Sequence, residues 1–271
     1  MRTQINVLIV VIAVVLTFSS LALGQAAETP SSAPPPEGWR QCPRCQNNAD
    51  RRNAWAKTKP ETHPFNPRDL SGIWGYEGVG GLFGNVPPLT PWGQQKFAAR
   101  NGNSPVARST PETRTCDPLG YPRQFGHNYG VEFVMLPDRV IQFFEWSHTW
   151  RTIWTDGRKL PAEPPEPHWL GWNVGRWEGD TFVIESNGFD ERSWMSDQMT
   201  LVERYHRTSY GTMDAELTIT DPKAFTRPWV VRDTIKLVPD TELWELFCVP
   251  SDEKEFEILV DRPVRQGNQR D

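Results

Sequence analysis

The chain has 271 residues, with 13 tryptophans against 5 tyrosines, and its formal net charge is −5 at pH 7. An acidic chain without a cluster of lysine and arginine is a poor candidate for binding nucleic acid or an anionic membrane surface. Its length allows one large hydrophobic core or two small ones. The tryptophan content suits barrel cores, aromatic-lined pockets and the walls of carbohydrate sites.

Residues 1–26 have the pattern of a secretory signal peptide. One positive charge, Arg2, precedes an apolar run over residues 7–16, and small residues follow up to Ala27. The run is short for a membrane span and a cleavage site near Ala26 follows it, so cleavage is favoured over an uncleaved anchor helix. We expect the mature protein to be periplasmic or secreted, without stable insertion into a membrane.

Residues 27–69 form a proline-rich linker and an extension that contains Cys42 and Cys45 in a Cys-x-x-Cys motif. In an exported protein this motif favours a local disulfide. A redox site would need a βαβ context, which does not follow, and a zinc site would need Cys116 and Cys248 as further ligands. We expect Cys116 and Cys248 to pair with each other, and we expect no metal site.

A globular domain is predicted over residues 70–250, followed by a C-terminal tail over residues 251–271. Its first strand starts at Gly72, and the indole of Trp74 is expected to close one end of a barrel. The glycines after this strand lack the spacing and the following helix of a phosphate-binding loop. A nucleotide site is therefore not predicted here.

One short helix is predicted after Thr90, a suitable N-cap residue that precedes Pro91 at the first helical position. The helix would span about two turns. It could serve as a lid over an open barrel end or as a simple connector. A long loop follows over residues 101–130, in which Arg123 and His127 could face a ligand.

Alternating patterns and short polar turns predict nine further strands. They cover residues 131–136, 140–146, 150–155, 172–177, 181–186, 199–208, 212–220, 229–238 and 242–249. Regular hairpins without alternating helices favour an all-β fold, an antiparallel up-and-down β-barrel of about ten strands with one short helix. A sandwich of two sheets is the alternative, because hairpins alone do not reveal closure.

Six motifs are spread over residues 70–250. They are SGIW (71–74), PLTPWG (88–93), IWTDGR (153–158), VGRWEGDTFV (174–183), VERY (202–205) and DPKAFTRPW (221–229). In combination they resemble an uncharacterised family of exported proteins from environmental bacteria. Gly72-x-Trp74 and the Trp-Glu-Gly-Asp hairpin are more distantly similar to lipocalin-like and fatty-acid-binding barrels. The resemblance implies an exported barrel, and no particular activity.

Two candidate charges lie on neighbouring predicted strands. If these strands pair around residues 147–149, Glu145 and Arg151 approach each other across the hairpin. One interpretation is a structural ion pair at the barrel rim. The other is a carboxylate held by an arginine, as a general base or as an anchor for a ligand.

A denser set of polar residues occupies one later strand. Arg204 and His206 share one face of it, and Glu203 and Tyr205 share the other. Polar residues inside an otherwise apolar strand predict that one face meets a wet cavity, unless the strand simply faces solvent. We expect Glu203, with Arg204 or His206, to join the pair described above in one polar patch.

The resulting hypothesis is an exported lipocalin-like barrel that binds a small apolar or aromatic molecule, without a cofactor. The alternative is an enzyme of the isomerase, hydratase or lyase type that performs acid–base chemistry in the same cavity on a lipid, terpene or phenolic compound. A carbohydrate-binding or scaffold protein is the third reading. Catalytic candidates are Glu145, Arg151, Glu203 and His206, and ligand-binding candidates are Trp74, Arg123, His127, Trp150, Trp154 and Arg204.

Overall fold

A computed structural model describes most of the predicted globular domain. The described residues are 63–76, 87–100, 117–126, 129–192 and 195–238, with single positions between 242 and 249. The signal peptide, most of the extension, all four cysteines and His127 lie outside the described residues, so export and both disulfides stay predictions. No helix in the described ranges has the length and hydrophobicity needed to span a bilayer.

Nine strands close into a barrel, which confirms the predicted all-β fold and rejects the sandwich. They are β1 (Gly72–Tyr76), β2 (Val131–Met135), β3 (Arg139–Phe144), β4 (Thr149–Trp154), β5 (Trp172–Glu178), β6 (Thr181–Asn187), β7 (Thr200–Ser209), β8 (Thr212–Thr220) and β9 (Trp229–Leu237). Pairing of β9 with β1 closes the ring and removes the free edges of the sheet. None of the described positions between 242 and 249 is in a strand, and the barrel closes without the tenth one predicted there.

The barrel is mixed rather than purely antiparallel, because β4 and β5 run parallel. Nine strands that each lie beside their chain neighbours cannot alternate in direction around a closed ring, so one pair must be parallel. Parallel neighbours need a long crossover, and the proline-rich residues 155–171 provide it. This seam is thin, since its ladder contains the single residue pair Trp154 and Val174.

The β5–β6 hairpin forms at the predicted Glu-Gly-Asp turn. Glu178 pairs with Thr181, which leaves Gly179 and Asp180 as a two-residue turn. Gly179 has a φ of 60°, the positive value that a tight hairpin of this kind requires at its first turn position.

Alternation along the strands sends one set of side chains into the barrel. The interior is filled largely by aromatic and aliphatic groups. Among the bulkiest fully buried side chains are Trp74, Tyr121, Phe125, Phe133, Phe182 and Tyr205. Outside the strands, Leu70 before β1 and residues 119–126 before β2 are also buried.

The predicted helix, α1 (Pro91–Arg100), is confirmed and packs against the connection between β8 and β9. Thr90 caps it, since its Oγ1 accepts a hydrogen bond of 3.1 Å from the amide of Gly93. A Cβ atom at Gly93 would lie 2.2 Å from the carbonyl oxygen of Ala224, so this close approach requires glycine.

Candidate functional site

A buried ion pair lies inside the barrel, between β4 and β7. Nη2 of Arg151 is 2.7 Å from Oε2 of Glu203, and the two side chains are 1% and 0% exposed. Both residues occupy inward positions in the alternation of their strands. Charges in a barrel interior are tolerated only when they are paired and hydrogen-bonded, and Arg151 and Glu203 pair with each other.

Three donors converge on one oxygen of the Glu203 carboxylate. Besides Arg151, the hydroxyl groups of Tyr121 and Tyr205 donate to Oε2 over 2.6 Å and 2.7 Å. The second oxygen, Oε1, is buried and has no hydrogen-bond partner. Glu203 therefore keeps one acceptor position open inside the barrel.

Arg151 connects this carboxylate to polar groups on other strands. Its Nε donates to Oε1 of Gln142 on β3 over 2.5 Å, and its Nη1 donates to Oδ1 of Asn173 on β5 over 3.3 Å. Asn173 also accepts a 2.7 Å hydrogen bond from the hydroxyl of Ser186 on β6. The network spans β3 to β7, and it bridges the thin parallel seam between β4 and β5. Nε2 of Gln142 is a buried donor without a partner.

Tyr121 belongs to the plug segment, residues 117–126, which runs into the barrel before β2. Residues 119–126 are all buried. The guanidinium carbon of Arg151 lies 3.7 Å from the centre of the Tyr121 ring, in a cation–π arrangement. Phe125 of the same segment packs edge-on against Tyr205, with ring centres 5.8 Å apart. The plug segment thus places one ring against Arg151 and a second ring against Tyr205.

Burial raises the pKa of both phenols well above their usual range. For Tyr205 the negative charge of Glu203 raises the pKa further, and for Tyr121 the attraction of Arg151 offsets part of the increase. Burial alone would lower the pKa of Arg151, but the attraction and hydrogen bond of Glu203, together with the attraction of Tyr121 and Tyr205, outweigh it, and the pKa lies above the usual value. Near neutral pH the two phenols are therefore protonated hydrogen-bond donors.

Comparison of the chain with protein-family models, curated proteins and solved structures found no match. Among the residues that the structure describes, no group of three or more histidine, cysteine, aspartate or glutamate side chains is arranged to hold a metal ion.

The structure brings two of the four catalytic candidates together, Arg151 and Glu203. Arg204 and His206 lie on the outer face of β7, where Arg204 forms an ion pair with Glu178 at 2.8 Å. Nδ1 of His206 is 3.4 Å from the carbonyl oxygen of Asp180. The expected single patch therefore does not include these two residues.

Glu145 does not face Arg151, because the β3–β4 register differs from the expected one. Gln142 is the residue opposite Arg151, and the strands end at Phe144 and Thr149. Glu145 lies in the turn between them, where it is buried, and its amide donates to the carbonyl oxygen of Gly130 over 3.0 Å. The turn therefore spans residues 145–148, and not residues 147–149 as expected.

The tryptophans proposed as ligand contacts on β4 point away from the barrel interior. Trp150 is 61% exposed. Trp154 is stacked on the outer surface between Arg139 and Arg158, whose guanidinium carbons are 4.2 Å and 3.6 Å from its ring centres. Alternation explains both positions, since Arg151 between them points inward.

Trp74 and Arg123 are the two described ligand-binding candidates that are buried within the fold. Nε1 of Trp74 donates to the carbonyl oxygen of Leu70 over 2.9 Å, and Arg207 lies under the indole at 5.3 Å. Trp74 thus helps to seal the barrel end next to residues 63–70, away from the plug segment. Arg123 is buried within that segment.

Sequence reasoning missed five members of the network. Gln142, Asn173 and Ser186 each stand at an inward position of a strand, so alternation with their buried neighbours could mark them. Tyr205 was placed on the correct face, beside Glu203, without a role. Tyr121 carries no sequence signal, because it lies in a segment without strand or helix periodicity.

Proposed function

We propose that the barrel binds one small, largely apolar or aromatic molecule beside Arg151 and Glu203. The ligand donates a hydrogen bond to Oε1 of Glu203. The observation that carries this proposal is the unpartnered Oε1 atom on a fully buried side chain. A buried acceptor without a partner costs about 1–3 kcal/mol, and more on a charged group, so such atoms are rare unless something else bonds to them.

The surroundings of the ion pair indicate what kind of molecule fits. Phe133 packs against Tyr205 with ring centres 5.4 Å apart, and Phe144 packs against Tyr121 at 5.9 Å. A ligand next to these rings gains by burying apolar surface, while its single polar group is directed by Glu203 and by the donor Nε2 of Gln142. This is the composition of a pocket for an apolar molecule with one hydroxyl or amino group.

The same groups favour binding over acid–base catalysis. A general acid or base works best when its pKa lies near the working pH. The phenols of Tyr121 and Tyr205 have pKa values raised far above neutrality, and His206 lies outside the barrel. Among the described catalytic candidates, the one histidine therefore does not lie in the barrel interior.

The proposal is tested with a matched pair of probes, 1-naphthol and 1-methoxynaphthalene. The two share the same aromatic body, but only 1-naphthol donates a hydrogen bond. Titration followed by tryptophan fluorescence and calorimetry should show that 1-naphthol binds tighter, roughly tenfold or more, because a hydrogen bond to a charged group contributes about 1.5–3 kcal/mol.

Glu203→Gln replaces one carboxylate oxygen by an amide donor of the same shape, so it should abolish this preference. Glu216→Gln is the matched control, because Glu216 forms an ion pair with Arg232 on the outside of the barrel. Equal affinity of the wild type for the two probes, or an unchanged preference in Glu203→Gln, would reject the proposal.

A further inference from the structure

The proposed site is closed in this structure, so a ligand can reach it only if part of its lining moves. Arg151, Glu203 and Tyr205 are all buried and lie in strands with a neighbouring strand on each side. Displacing the backbone of any of them breaks a ladder of backbone hydrogen bonds. Tyr121 is the one donor to Glu203, among the described residues, that does not belong to a strand.

The plug segment is joined to the rest of the barrel outside the strand ladders. Four of its backbone hydrogen bonds close within the segment itself, between residues 120 and 126. Its links to other parts of the chain include the amide of Tyr121 to the carbonyl oxygen of Trp169, at 3.2 Å, and Nε2 of Gln124 to the carbonyl oxygen of Trp146, at 2.8 Å. Displacement of the segment leaves the ladders of the barrel intact.

We propose that Tyr121 is an internal occupant of the site and that a phenolic ligand displaces it. This inference rests on the proposed function and names its ligand class. The position of Tyr121 combines three features of a phenol site. A cation lies over the ring at 3.7 Å, a carboxylate oxygen accepts from the hydroxyl at 2.6 Å, and a second aromatic ring packs nearby at 5.9 Å.

Each of these features selects a different part of the ligand. The guanidinium of Arg151 favours an electron-rich aromatic face over an aliphatic chain. The Glu203 carboxylate, with Oε1 open and Oε2 no longer bonded to Tyr121, favours a hydroxyl that donates. A phenol from solution therefore takes the place of the Tyr121 ring beside Arg151 and donates its hydroxyl to this carboxylate. Its apparent affinity is its intrinsic affinity multiplied by the fraction of molecules in which Tyr121 has left the site.

Removal of the internal occupant should therefore increase affinity. We expect Tyr121→Ala to bind phenol and 1-naphthol roughly tenfold or more tightly than the wild type does, since the competing side chain is gone. In this variant phenol should also bind roughly tenfold more tightly than benzene, which has the ring without the hydroxyl. Phe189→Ala is the control, because Phe189 is another fully buried ring, and it packs beside Gly171 on the crossover between β4 and β5.

A second measurement uses the unaltered protein, and covers the case in which Tyr121→Ala does not fold. Hydrogen–deuterium exchange of peptides spanning residues 117–126 should become faster at saturating 1-naphthol, because the plug segment leaves the interior. Tyr121→Leu, which fills part of the space without a hydroxyl, should show the same gain in 1-naphthol affinity as Tyr121→Ala.

The two proposals fail in different ways. The wild type can prefer 1-naphthol over 1-methoxynaphthalene while the Tyr121 variants gain no affinity and ligand does not speed hydrogen–deuterium exchange of the plug segment. In that case Tyr121 is a permanent part of the wall, and only the further inference fails. Equal binding of phenol and benzene to Tyr121→Ala, or equal gains in Phe189→Ala, would also overturn the phenol assignment. Loss of the 1-naphthol preference in the wild type rejects the proposed function itself.

Discussion

Glu203 and Arg204 are neighbours in the chain, yet they belong to two ion-pair clusters on opposite sides of one barrel wall. The inner pair, Arg151 with Glu203, has an N–O distance of 2.7 Å and is almost completely buried. The outer pair, Arg204 with Glu178, has a distance of 2.8 Å, and its side chains are 41% and 39% exposed. The two pairs have nearly the same geometry, and only their surroundings differ.

This difference in surroundings decides what each pair contributes. The outer pair is solvated and screened, and such pairs add little to stability. The inner pair has lost its hydration, so its attraction is strong but largely offsets a desolvation cost. The inner pair therefore matters most when it is broken, because the remaining charge is then buried without compensation.

The largest expected effect follows from breaking the inner pair. Arg151→Met should lower the free energy of unfolding by about 3–5 kcal/mol, since Glu203 keeps its buried position without its cationic partner. Replacing both members, Arg151→Met with Glu203→Met, should recover much of the loss. Urea denaturation of the wild type, of Arg151→Met, of Glu203→Met and of the double variant measures the loss and the recovery. A double variant as unstable as the sum of the single ones would contradict this account.

The barrel and the inward direction of Glu203 could be predicted because they depend on local periodicity. Hairpins at turn residues such as Gly179, together with alternation along β7, identify the strands and separate Glu203 from Arg204. A closed ring of nine strands needs one parallel pair, whereas a ring of ten strands does not. The parallel β4–β5 pair was therefore not predictable from a count of about ten strands.

The β3–β4 register could not be predicted, because the turn begins at Glu145 and Trp146, which are not typical turn residues. Ser147 and His148 both adopt positive φ values, 57° and 46°, which in sequence patterns are expected of glycine or asparagine. The turn therefore starts earlier than expected, and it places Gln142 instead of Glu145 opposite Arg151. A register error of this kind changes which side chains meet, although both strands are assigned correctly.

A second, intermediate effect concerns alkaline pH and again separates the inner cluster from the outer one. The pKa values of Tyr121 and Tyr205 are raised in the folded protein above the usual value of 10.0, mainly by burial. Below about pH 10 both phenols are protonated in the folded and unfolded states, so stability does not depend on them. Above it the unfolded chain releases these protons first, and stability falls by up to about 1.4 kcal/mol per pH unit for each group.

Urea denaturation between pH 8 and 11 tests this sign. Tyr205→Phe removes one of the two groups, so its stability should fall less steeply above about pH 10 than that of the wild type. Phe182→Leu, at another fully buried ring, removes no titratable group and is the control, so it should keep the wild-type slope. A steeper slope for Tyr205→Phe than for the wild type would show that this phenol titrates more easily in the folded protein.

The smallest expected effect comes from the outer cluster. The guanidinium groups of Arg204 and Arg176 hold the pKa of Glu178 below its usual value, so the contribution of this carboxylate is present near neutral pH and is lost as the pH falls. Because Arg176 also contacts Glu178, at 2.9 Å, Arg204→Gln leaves that carboxylate with one cationic partner. We expect the free energy of unfolding of Arg204→Gln at pH 7 to equal that of the wild type within the error of the denaturation fit.

Salt sharpens this last comparison. At 1 M salt the Debye length is about 3 Å, so any small difference between Arg204→Gln and the wild type should vanish. The loss in Arg151→Met should persist in the same buffer, because the inner pair is shielded from ions by the barrel. A large, salt-resistant loss in Arg204→Gln would mean that the outer pair is held as firmly as the inner one, and that solvent exposure does not distinguish the two faces of β7.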